Sequence, residues 1–176
     1  VMYSLMVILS ASFFYFFPLI ALIFFVLYSS YHFGEQQWTL FEKKSKMLHS
    51  LYFGYGSLIF SLLFLFNQNY VSFIINDITG IQLLSNHFFV YFLSAILVFS
   101  IGLLSNYKLI IEQLLIQLVL FCLLCFMFYF SDLMLSFSVF FVFWHSIPSI
   151  IEQTKYIYGK NDFESLFKYF KKALLY

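Results

Sequence analysis

Arginine is missing altogether. All nine basic residues are lysine, set against eight acidic ones, and charged residues make up only 10% of the 176. A soluble domain of this length carries about a quarter charged residues. The formal net charge of +1 offers no electrostatic footing for a nucleic-acid partner. Cysteine occurs twice, as the C-x-x-C pair Cys122 and Cys125 inside the apolar run FCLLCFMFYF. A redox dithiol needs a polar, partly exposed setting that stabilises thiolate, so this pair reads as two small apolar residues. No internal repeat is apparent. The first apolar stretch is too long for a cleavable signal peptide and lacks a basic start. Because the chain opens on Val1, it is expected to be part of something longer.

What is present is apolar. Hydrophobic residues make up 63% of the chain, 28 of them phenylalanine and 14 tyrosine, and the mean hydropathy is +0.93. One core of this size cannot enclose that much apolar surface, so lipid must be the remaining solvent. The expected fold class is all-α, a polytopic transmembrane helical bundle of about five spans. A bilayer core needs about 20 apolar residues per helix. Spans are therefore expected near residues 2–28, 47–66, 87–104, 109–130 and 133–151, with Pro18 kinking the first. YHFGEQQWTLFEKKSK reads as a polar loop, residues 67–86 as a loop with a short interfacial turn, and SNYK as a tight connection. The bundle would occupy 1–158, and 159–176 would form a surface helix. In that tail Phe163, Leu166, Phe167, Phe170 and Leu174 recur at helical spacing with lysines opposite, which suits an amphipathic helix on the membrane surface. Asn161 is its expected cap, with Glu164 in the third position.

Lysines follow the first, third and fifth spans and are missing after the second and fourth. Cytoplasmic loops collect Lys and Arg, which predicts a multi-pass protein of the inner (cytoplasmic) membrane with a cytoplasmic C-terminus. That orientation puts His32, His49, Glu112, His145 and Glu152 in one layer near the cytoplasmic face, with His87 alone opposite. His145, Ser149 and Glu152 stand at i, i+4 and i+7, on one helix face. Pro148 would free the Trp144 carbonyl and bend the span there. Imidazole is the commonest ligand for iron, zinc and copper, and histidines from separate helices are candidate ligands of one metal. The plainer readings stand beside this one. Histidines at helix ends also act as interfacial residues or caps, and Glu112 suits the first turn of a helix.

YHFGEQQW and FWHSIPS resemble the Brp/Blh family of membrane-bound β-carotene 15,15′-dioxygenases. That family is recognised by a His-Phe-Gly motif with acidic residues following and a later His-Ser-x-Arg-His motif. The resemblance implies oxygen-dependent central cleavage of β-carotene to two retinal molecules at a non-haem Fe(II) site. It matches His32 and His145 to metal ligands, with His49 and Glu112 as further candidates and Glu35, Ser149 and Glu152 behind them. Where the family has an acid, an arginine and a closing histidine, this chain has Gln37, Pro148 and Ser149. The family's upstream His-Gly-x-x-Asp-His motif is not in the sequence. No lysine lies inside an expected span, which excludes a rhodopsin-type Schiff base. The implied partners are β-carotene, O2 and the bilayer. The rival readings are a carotenoid-binding scaffold or transporter, and another membrane metalloenzyme acting on an isoprenoid.

Overall fold

A computed structural model describes residues 2–38 and 48–174, and every regular element among them is helical. The chain packs as two units, Val1–Leu133 and Met134–Tyr176.

In the first unit, α1 (Met2–Phe16) and α2 (Pro18–Trp38) adjoin at Phe17. Hydrogen bonds from the Phe17 N–H to Phe13 and from the Ala21 N–H to Phe17 carry the helical ladder past Pro18. The proline therefore marks a junction and not an end, as its missing N–H allows. α2 continues through His32, Phe33, Gly34 and Glu35 to Trp38, where a polar loop is expected from the sequence. Packing explains the difference. Phe33, Gly34 and Trp38 are buried, and the Trp38 indole meets Tyr55 edge-on at 5.8 Å. Three inward residues outweigh the polarity of the others. The rest of the expected loop, including Glu42, Lys43, Lys44 and Lys46, lies outside the described residues.

α3 (Leu48–Phe66) is the central helix, buried from Tyr52 to Leu63 except at Phe53. Small residues set how closely its neighbours approach, as in membrane bundles generally. A Cβ on Gly34 would lie 1.8 Å from the Tyr52 carbonyl oxygen, and one on Gly56 1.8 Å from that of Ser30. Gly54 similarly abuts the Phe99 backbone and Gly102 that of Leu51. Residues 68–79, expected as loop, form α4 (Gln68–Thr79), closed by Gly80 in the left-handed region at φ 72°. Its period is helical; the Asn and Asp that suggested a loop lie on its exposed side.

α5 (Ser85–Phe130) has 46 helical residues without a coil residue between them. It is nevertheless not straight. The Tyr55 ring lies 5.9 Å from Phe99 and 6.1 Å from Phe121. On a straight helix those two positions would stand about 33 Å apart. Near the far end of α3, Phe64 meets Tyr91 and Phe66 meets Tyr129. Both pairs of α5 positions are centred on residue 110, so two helical limbs fold back on each other around Ile110, which is fully buried. The third and fourth expected spans are these limbs. Helix runs through SNYK, and the reversal falls a few residues later. Each limb carries a seven-residue inward repeat, Phe88, Ala95 and Gly102 on the first, Ile110, Gln117 and Leu124 on the second.

In the second unit, α6 (Leu133–Val139), a π-helical segment (Phe140–Ser146) and α7 (Ile147–Tyr158) form one 26-residue apolar span. The Ile147 N–H bonds back to Val142, five residues earlier. Pro148 removes the next donor, and the helix answers by widening. After Gly159 at φ 73°, α8 (Phe163–Ala173) begins. Its cap is Asp162, not Asn161: the Asp162 carboxylate accepts from the Ser165 N–H at 2.9 Å. The helix starts one residue later than expected, so Glu164 pairs instead with Lys168 at 2.6 Å. Lys160 pairs with Asp162, and together with the cap this holds the Asp162 carboxyl well below the usual carboxylate range. Phe163, Phe167, Phe170 and Leu174 are exposed.

Among the described residues four helices are long and apolar enough to cross a membrane, and α5 does so twice over by length. The chain is an all-α membrane protein, with lipid-facing Phe, Leu and Ile along most of its surface.

Candidate functional site

Tyr28, Tyr31, His32 and Glu35 follow one another on α2 at i, i+3, i+4 and i+7, forming one stripe. His32 is exposed and stacks on Tyr28, with ring centroids 6.4 Å apart. Tyr31 reaches across to α3, where its hydroxyl oxygen lies 2.7 Å from His49 Nδ1. Glu35 stands one turn further along the same face of α2. Tyr52 closes the group, edge-on to Tyr31 at 6.1 Å and to His49 at 6.3 Å. Gly34 makes this possible, because its backbone contact with Tyr52 draws the two helices together at this level.

Two of the sequence-derived candidates, Glu35 and His49, are thus gathered around Tyr31. Tyr31 and Tyr52 themselves were not expected. Their signal is weak, since they are two among 14 tyrosines, although Tyr31 stands four residues before Glu35 on the same face. Glu112 is exposed, two residues beyond the reversal at Ile110. Gly102 meets Leu51 just before that reversal, so Glu112 lies at the same end of the unit as His49. Gln37, where the family pattern has an acid, donates from Nε2 to Gln117 Oε1 at 2.7 Å and ties α2 to the second limb of α5.

His87 is at the opposite end. Its Nδ1 accepts from the Leu84 N–H at 3.1 Å, which caps α5. With Leu22, Val26, Phe64, Ile75 and Phe88 it also lines an apolar pocket of about 290 Å³. Behind that pocket the hydroxyls of Ser30, Ser57 and Tyr91 are buried together between α2, α3 and α5.

In the second unit His145 sits in the π-helical segment, half-buried, its ring 5.0 Å from Phe141. Ser149 is half-buried on the next turn, and Glu152 is exposed. π-Helical turns inside α-helices recur at functional sites. Among the described residues no group of three or more His, Cys, Asp or Glu side chains is gathered for one metal ion. Cys122 and Cys125 are unpaired thiols on an apolar helix, as expected.

No curated protein and no solved structure matches this sequence. The sequence model of the beta-carotene 15,15'-dioxygenase family matches residues 1–176, the full length of the chain. The chain belongs to the beta-carotene 15,15'-dioxygenase family.

Proposed function

We propose that this protein cleaves the central double bond of β-carotene with O2, giving two retinal molecules, and that His32 and His145 are ligands of an Fe(II) ion. The family match over the whole chain is the observation that carries the reading. In the balanced reaction the central C=C breaks and each carbon receives one oxygen atom, so no external reductant is needed. Imidazole and carboxylate are donor types that iron accepts, and the resemblance assigns the ligand positions to His32 and His145. When bound, the metal would supply activation of O2.

The chain's own groups have separate tasks. Its apolar outer surface admits from the bilayer a rigid hydrocarbon that water does not dissolve. Helix packing excludes water from the reacting double bond. Glu35 orients an imidazole from behind the ligands, a role in which outer partners commonly act. Ser149 and Glu152 stand behind His145, and His49 and Glu112 are further ligand candidates. The lysine distribution supports a cytoplasmic-membrane protein with its C-terminus on the cytoplasmic side.

Expression in a host that accumulates β-carotene tests the reading. The cells should bleach and release retinal. Persistent pigment, with iron-loaded protein present in the membrane, would favour a carotenoid-binding scaffold.

A further inference from the structure

We infer that α8 docks on an acidic bilayer leaflet: Phe163, Phe167, Phe170 and Leu174 enter among the acyl chains beside the end of α7, and Lys155 and Lys171 meet the phosphates of anionic lipids. This docking is independent of the cleavage chemistry proposed above.

The packing of α8 on α7 leaves the apolar stripe free. Ser165 is buried, and Tyr169, four residues on and on the same face, donates its hydroxyl hydrogen to Gln153 Oε1 of α7. The Lys172 ammonium lies 5.8 Å from the centre of the Tyr158 ring. Phe163, Phe167, Phe170 and Leu174 stand at i, i+4, i+7 and i+11, about 150° around the helix from Ser165 and Tyr169. All four are exposed, Phe163 and Leu174 by 84% and 86%.

The position of the helix makes lipid the occupant. α7 closes a 26-residue apolar span at Tyr158, and only residues 159–162 lead from it to α8. The Tyr169–Gln153 bond then brings the middle of α8 back level with residue 153, about 7 Å before the end of the span. Tyr156, almost fully exposed at that level, is of the aromatic type enriched at membrane–water interfaces.

Charge selects the kind of lipid. From Glu152 onward, Lys155, Lys160, Lys168, Lys171 and Lys172 are set against Glu152, Asp162 and Glu164. Lys160 and Lys168 are paired with Asp162 and Glu164. Lys155 and Lys171 are exposed and make no ion pair among the described residues. Lys171 follows Phe167 by four residues, so its stem flanks the stripe and its ammonium reaches the head groups.

The test uses the whole chain with Cys122→Ala and Cys125→Ala, carrying one nitroxide at a time through Phe167→Cys, Leu174→Cys or Glu164→Cys. It is placed in nanodiscs of phosphatidylcholine with increasing phosphatidylglycerol. As phosphatidylglycerol is added, the labels at positions 167 and 174 should open to O2 and close to a water-soluble nickel complex. The label at position 164 should stay open to nickel. Lys155→Gln and Lys171→Gln should each lower the equilibrium constant of the docked state about fivefold. Labels at 167 and 174 as open to nickel as the one at 164, at every composition, overturn the inference. Shielding that is equal with and without phosphatidylglycerol, or unmoved by Lys171→Gln, overturns its acidic-lipid half. A dipolar coupling between the 174 labels of two copies makes a second copy the occupant and overturns it too.

Discussion

Gly34 and Gly56 permit the closest backbone approaches in the bundle, each leaving no room for a Cβ beside a carbonyl of the neighbouring helix. Gly56→Ala must therefore push α2 from α3, and overpacking of this kind costs about 1–3 kcal/mol. A matching loss of stability is expected in denaturant unfolding of the protein in detergent, whereas Gly80→Ala, with nothing near its Cβ, should act only through its positive φ. Individual residues were unevenly legible in the sequence. His49 was identifiable as a polar group in the cytoplasmic layer, and Glu35 only through the family resemblance. The Tyr31–His49 bond was not, because it depends on how closely two glycines let the helices approach. Gln37 was visible as a departure from the family pattern, but its bond to Gln117 spans 80 positions and needed the fold.

Among the elements, α5 is the most informative. Hydropathy separated its two limbs correctly, since each needs about 20 apolar residues to cross a bilayer. The site of reversal was misplaced because SNYK is polar, whereas the turn centres on a buried isoleucine. Spin labels at the exposed positions Leu97 and Leu123 would stand about 39 Å apart along a straight helix. The doubled-back limbs bring them within about two helix diameters, roughly 20–25 Å. A dipolar distance near the longer value would contradict the reversal. α8 offers a pH test. The Asp162 carboxyl is lowered by Lys160 and by the Ser165 cap, so its ionised form is favoured in the folded helix. The stabilisation is complete above the ordinary carboxylate range and is lost as pH falls through the lowered folded value. The helicity of α8 should survive mild acid and fray only at strongly acidic pH. Asp162→Asn keeps a capping oxygen and should reduce that dependence to the part carried by the Glu164–Lys168 pair.

For the molecule as a whole, composition alone was enough for the class. A chain with 10% charged residues and a surface of exposed Phe, Leu and Ile belongs in lipid. A membrane-dissolved isoprenoid suits such a surface, and the family match is what supports β-carotene as the proposed substrate. Two short motifs pointed to the same family before any coordinates, although they sit at opposite ends of the chain, one in each packed unit. The most direct test is made on purified protein given β-carotene and 18O2, with iron measured alongside. The proposed function predicts two retinal molecules per β-carotene, each carrying one 18O, and loss of both iron and retinal in His32→Ala and His145→Ala. Undiminished iron and retinal in both variants would contradict it.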